Sequence, residues 1–166
     1  MASAPASNQL RVDGKDQISK GAFKARRKEQ EHKTKSHPPL NARALADVVA
    51  RAALEHKVLS PVLLNLTGLS SIADWFFIAS AENSRSVRAV AEKIIRRTLE
   101  VGVKPLGHEG LNQGETRWVL LDLGDVIVHI FNPETRALYD LESLWADAPR
   151  IEHGAAAAKA DSNSRS

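Results

Sequence analysis

The segment Trp118-Val-Leu-Leu-Asp-Leu-Gly-Asp-Val-Ile-Val-His-Ile-Phe131 constrains the fold more than any other part of the chain. It consists of two runs of strand-forming residues around Gly124-Asp125, and glycine at the first loop position suits a two-residue II′ hairpin. Such a loop sets the register, with Leu123 opposite Val126, Asp122 opposite Ile127, Leu120 opposite His129 and Trp118 opposite Phe131. Side chains alternate across a sheet, so the pair divides into two faces. One carries Val119, Leu121, Leu123, Val126, Val128 and Ile130, is wholly aliphatic, and is expected to pack on helices. The other carries Trp118, Leu120, Asp122, Ile127, His129 and Phe131. An acid and an imidazole are costly to bury unpaired. Either this face is a partly covered second layer in which Asp122 and His129 satisfy each other diagonally, or it is open and meets a partner. Large aromatics with a few polar groups are what interface centres favour.

The flanking sequence supplies helices for the aliphatic face. Residues 84–100 place Val87, Val90, Ala91, Ile94, Ile95, Thr98 and Leu99 at helical spacing, with Arg85, Arg88, Glu92, Lys93, Arg96 and Arg97 on the other side and Gly102 as a stop. A second helix is expected from about Asn41, a fair N-cap after the prolines, to His56. Residues 61–66 and 72–79 read as strands separated by a turn at 67–71, and 103–106 as a weaker strand before a Gly-rich loop, 107–114. A short helix is expected from Pro133 to Leu138, and 141–145 closes the fold. This order predicts an α/β domain with a single mixed β-sheet and helices packed on one face.

Charge divides the chain differently from its overall count. The total of 23 Lys+Arg against 20 Asp+Glu gives +3 and suggests a basic, nucleic-acid-binding domain. Residues 1–39, however, hold 9 basic and 4 acidic groups, whereas residues 40–151 hold 12 and 14. Residues 1–39 have few large apolar groups and are expected to be a disordered basic tail. Residues 40–150 form the domain, and 151–166 a flexible C-terminal tail. There is no cysteine, hence no disulfide or thiolate metal site. No apolar run is long enough to span a bilayer, and no secretory signal is evident, so a cytoplasmic protein without membrane contact is expected.

The motifs at 68–78 (Gly-Leu-Ser-Ser-Ile-Ala-Asp-Trp-Phe-Phe-Ile), 84–91, His108-Glu-Gly110, the Trp118–Phe131 hairpin and Leu138-Tyr-Asp-Leu-Glu-Ser-Leu-Trp145 together resemble the ribosomal silencing factor family, also called Iojap-related. The likeness runs in order and spacing over about residues 40–148. Ala81, Ser86 and Asn65 stand where the family more often has Gly, His or Gln, and an acid. The resemblance implies a fold like the nucleotidyltransferase core without its activity. It also implies a non-enzymatic translational repressor that binds the fourteenth protein of the large ribosomal subunit and blocks joining of the small subunit. The family's hairpin residues correspond to Trp118, Asp122, Asp125 and His129, and its late residues to Tyr139, Leu144 and Trp145; Leu120 and Phe131 complete the same face. No cofactor or metal is implied.

Two other readings compete with this one. A nucleotidyltransferase-like or other metal-dependent enzyme would need paired carboxylates. Gly68-Leu-Ser-Ser71 is followed by a single acid, Asp74, with Phe76 where a second would sit, and Asp122 and Asp125 straddle a turn. His108, Glu109 and His129 have no recognised ligand spacing. Direct RNA binding would use Arg85, Arg88, Lys93, Arg96 and Arg97, read here as a solvated face, or the tail cluster Lys24, Arg26, Arg27 and Lys28, expected to make a supplementary contact to ribosomal RNA. Trp75 shares a face with Phe77 and reads as core or wall. Trp145 either locks the last segment on the sheet or extends the Trp118 surface. An exposed apolar face would also support a homodimer of the free protein.

Overall fold

The hairpin forms in the register its loop dictates, pairing Trp118 with Phe131, Leu120 with His129 and Asp122 with Ile127. Gly124 takes φ +88° and Asp125 keeps a negative φ, which is the II′ geometry. The computed structural model describes residues 40–153. In chain order these form α1 (Ala42–Leu54), β1 (Leu59–Asn65), β2 (Trp75–Ser80), α2 (Ser84–Glu100), β3 (Gly107–Glu109), β4 (Trp118–Asp122), β5 (Val126–Phe131), α3 (Pro133–Tyr139), α4 (Leu141–Leu144) and β6 (Arg150–Glu152).

The six strands of the described residues make one mixed sheet in the order β3-β4-β5-β2-β1-β6. Only the central β2–β5 pair is parallel. Both of its strands are buried throughout, as expected where a strand is covered on two sides. The α1 and α2 helices lie on one face and bury Leu45, Val49, Val87, Val90 and Ile94 against Leu63, Trp75, Phe77, Val119, Leu121, Val128 and Ile130. The aliphatic side of the hairpin is thus the core side. Trp75 belongs to this core, with the Arg43 guanidinium 5.1 Å from its ring centre.

Local chemistry explains where the helices begin and end. Asn41, Asn83 and Asn132 each accept a hydrogen bond from the backbone three residues on, at 2.8, 2.9 and 2.8 Å, capping α1, α2 and α3. The α2 helix ends in a Schellman turn. Gly102 sits at φ +81°, its N–H reaches Leu99 O at 3.0 Å, and Val103 N–H reaches Thr98 O at 2.8 Å.

That turn also corrects one expectation. Residues 103–106 are not a strand, because Val103 spends its N–H on the helix end and Pro105 has none. Pairing with β4 begins at Leu106 N–H to Asp122 O (2.8 Å) and continues as β3, inside the segment expected to be loop. A second difference lies at the C-terminal end. The boundary at residue 150 falls within β6, which pairs with β1, and His153 N–H still bonds Pro61 O at 3.0 Å.

Candidate functional site

The second face of the sheet is where the polar and aromatic residues of the hairpin collect. Beside Trp118, Leu120, Asp122, Ile127, His129 and Phe131, the register places Phe76, Ile78 and Ser80 of β2 on the same side. Both α3 and α4 lie against this face. Tyr139 packs on Trp118 at 4.6 Å between ring centres, and Trp145 meets Phe76 edge-on at 6.1 Å. His129 joins the two ends, 4.9 Å from Phe76 and 5.8 Å from Trp118, while Trp118 stacks on Phe131 at 5.0 Å. The result is a ladder of rings, Trp145–Phe76–His129–Trp118–Tyr139, running diagonally over three strands. Offset and edge-on ring pairs of this kind add to plain area burial.

Asp122 and His129 bond to different groups rather than forming the diagonal pair of the covered-layer alternative. The Trp118 indole N–H donates to His129 Nδ1 at 3.2 Å, taking the other diagonal. Asp122 Oδ1 accepts the Gly124 N–H at 2.9 Å and so secures the hairpin turn from within. The indole bond assigns the His129 proton to Nε2, which is buried with no hydrogen-bond partner. Burial alone holds the imidazole down at about 3, far below its ordinary range, so it is neutral at physiological pH.

Cover is uneven across this face. Over β5 and β2 it is complete, burying Phe131, Ile127 and His129, and it reaches Asp122 at the turn end of β4. Over the rest of β4 it is absent enough to leave Trp118 and Leu120 half-buried. They line a cleft of about 330 Å³ with Leu138 and Tyr139 on α3, Thr135, Glu109 and Arg117. Leu138 is 73 % exposed and Leu144 56 %. The two descriptions of this face, covered layer and open surface, therefore apply to different parts of it.

The residues singled out from sequence accordingly separate into groups. Trp118, Leu120 and Tyr139 line the cleft, and Leu144 and Trp145 lie at the far end of the ladder, with Leu144 exposed. His129, Phe131 and Asp122 are too deeply buried to be touched by a partner and back the surface instead. Asp125 is exposed at the hairpin turn, roughly 17 Å along the strand from Trp118, where its carbonyl receives the N–H groups of Asp74 and Trp75. Lys24, Arg26, Arg27 and Lys28 lie outside the described residues. Leu138 also lines the cleft, beside Tyr139, and its place in the motif Leu138-Tyr-Asp-Leu-Glu-Ser-Leu-Trp145 is the sequence signal for it.

Asp122 is committed to the turn, Phe76 fills the position of a second acid, and His129 is sealed. Among the described residues no group of three His, Asp or Glu side chains is placed to hold a metal ion. No helix among them is long and apolar enough to cross a membrane.

A family model described as ribosomal silencing factor during starvation matches residues 39–166. The chain belongs to this family. Among related ribosomal silencing factors, that of Halalkalibacterium halodurans is 41% identical over 108 residues, covering 65% of this chain and 91% of the relative. That of Bacillus subtilis is 36% identical over 110 residues, 66% of this chain and 92% of the relative. The chloroplastic protein Iojap of Zea mays is 34% identical over 107 residues, 63% of this chain and 44% of its own. A crystal structure of a Chromobacterium violaceum protein superposes with a TM-score of 0.61 at 31% identity, covering 64% of this chain and 88% of the other. One from Bacillus halodurans gives 0.58 at 36% identity over 67% and 99%. The silencing-factor match takes in the whole sheet and both faces. It begins where the basic segment ends, so the tail cluster stands outside it.

Proposed function

We propose that this chain represses translation by docking on the large ribosomal subunit, through its fourteenth ribosomal protein, and occupying space the small subunit needs. Membership of the ribosomal silencing factor family supports a ribosome-associated silencing role. The observation that carries the docking reading is the uncovered strip over β4, where Trp118, Leu120 and Tyr139 line a cleft beside the exposed Leu138. A half-buried tryptophan with a fixed indole bond is a preorganised anchor, since little side-chain freedom remains to be lost on binding.

The mechanism is steric and non-enzymatic. It needs no cofactor and no metal, only an affinity that competes with subunit joining. Silencing of this kind takes place in the cytoplasm, where subunits meet. The tail residues Lys24, Arg26, Arg27 and Lys28 add a weaker, salt-sensitive contact to ribosomal RNA. In the free protein the same apolar strip serves a homodimer that ribosome binding displaces.

Incubating the protein with separated subunits and sedimenting the mixture through a gradient tests this directly. The expected result is loss of joined ribosomes, with the protein in the large-subunit fraction. Trp118→Glu is expected to melt cooperatively and yet lose co-sedimentation, as an anchor worth ~2 kcal/mol or more would. A folded Trp118→Glu protein that still binds fully assigns docking to another surface.

A further inference from the structure

We propose that Arg136 is the positioning residue of the docking surface: its guanidinium fastens α3 and α4 to the sheet and so holds Leu138, Tyr139 and Leu144 in place. The inference rests on the docking reading above and adds the element that builds the surface. Neither helix can hold itself there. The α3 helix has seven residues and α4 four, and neither buries a residue fully. Helices this short are not stable alone, so their position depends on whatever ties them to the rest of the molecule.

The tie is concentrated on one side chain. Arg136 Nη1 donates to Leu59 O at 3.1 Å and to Ser80 Oγ at 3.2 Å. Its Nη2 donates to Ser60 O at 2.8 Å and to Glu142, and Nε also donates to Glu142 Oε1, at 3.2 Å. One planar fork thus joins β1, β2 and α4 to the helix that carries it. The Arg136 side chain is only 13% exposed, and Glu142 supplies the opposite charge that burial requires. Arg136 O also closes the end of α3 by accepting the Asp140 N–H at 2.9 Å.

The backbone is shaped around this group. Among the described residues, Ser60 (φ 47°) and Asp140 (φ 44°) are the non-glycine residues in the left-handed region. Both flank the clamp. Ser60 lies in the irregular stretch of β1 between Leu59 and Val62, where the register with β2 shifts, and the carbonyls of Leu59 and Ser60 both turn to the guanidinium. Asp140 makes the sharp joint between α3 and α4 that brings Glu142 back to Arg136. Left-handed residues other than glycine are costly and persist where surrounding contacts hold them.

Two measurements on the full chain test the clamp: amide hydrogen exchange, and co-sedimentation with large subunits. Arg136→Lys keeps the charge but loses the planar fork. It is expected to speed exchange at Asp140 and Trp145 by on the order of ten-fold or more, leave β2 and β5 amides unchanged, and weaken subunit binding by a similar factor. Glu142→Gln is expected to do the same to a smaller degree. Leu138→Glu is the counterpart, expected to lose binding with exchange unaltered. Unchanged exchange in α3 and α4 of Arg136→Lys overturns the clamp, whatever binding does. Faster exchange with undiminished binding overturns its role in docking. If Leu138→Glu and Trp118→Glu also bind normally, the fault lies with the docking surface and not with the clamp.

Discussion

The two faces of the sheet are built on different principles. On the core face, α2 runs for 17 residues, opens on an Asn cap, closes on a Schellman turn and buries Val87, Val90, Ala91, Ile94 and Thr98. Its apolar stripe alone specifies where it lies. On the second face, α3 and α4 have no such stripe and are held by one arginine and by aromatic contacts at their ends. Burial by area is non-directional and forgiving, whereas a five-bond guanidinium clamp is directional and local. The difference suits two tasks: one face keeps the domain folded, and the other keeps a small set of exposed side chains in fixed positions.

The sharpest way to separate the faces is to damage each in turn. Phe77→Ala, at the fully buried centre of the core face, is expected to cost about 3–5 kcal/mol in chemical denaturation. Its folded fraction should still bind large subunits with unaltered affinity. If binding is lost in step with affinity rather than with the amount folded, the two faces are coupled and the division fails.

A smaller effect comes from pH and is carried mainly by His129 on the second face, with a lesser share from His153, which burial also pushes down. Burial holds His129 at about 3, against about 6.5 in an unfolded chain. Its contribution is therefore fully present above pH 6.5 and is lost as pH falls, because the unfolded state then takes up a proton that the native state refuses. Between pH 7.5 and pH 5 the loss is about 2 kcal/mol. Urea denaturation at the two pH values measures it, and His129→Phe should remove most of the slope. A slope that survives the substitution comes from other groups.

The smallest effect concerns residues 1–39, which lie outside the described residues. Removing residues 1–39 is expected to weaken subunit binding several-fold at low salt and hardly at all at high salt, as titration of the gradient buffer would show. Complete loss of binding at any salt would move the main contact from the aromatic face to the tail.

How far these features are legible beforehand depends on the range of the forces that set them. The α2 helix is recovered to the residue because its period and its Gly102 stop are written locally. The hairpin register follows from Gly124 and strict alternation. The β3 strand is displaced by a few residues because the helix end competes for Val103 N–H, a local contest that apolar character does not report. The β6 strand carries one large apolar residue, Ile151, and forms because β1 offers it an unpaired edge.

At the site itself, the hairpin pattern picks out Trp118, and the family likeness adds Tyr139, Leu144 and Trp145. Neither distinguishes the residues that surface from those that lie beneath. His129 and Phe131 alternate in register with the half-buried Trp118 and Leu120, yet the short helices cover one strand and stop before the next. Nor does Arg136 stand out, since its partners Leu59, Ser60 and Ser80 lie 77, 76 and 56 residues away in sequence. Periodicity and turn chemistry act within a few residues, and they determined the elements, the hairpin and the division into two faces. Which part of the second face stays open was decided by long-range hydrogen bonds and ring contacts, which exist only once the chain has brought those residues together.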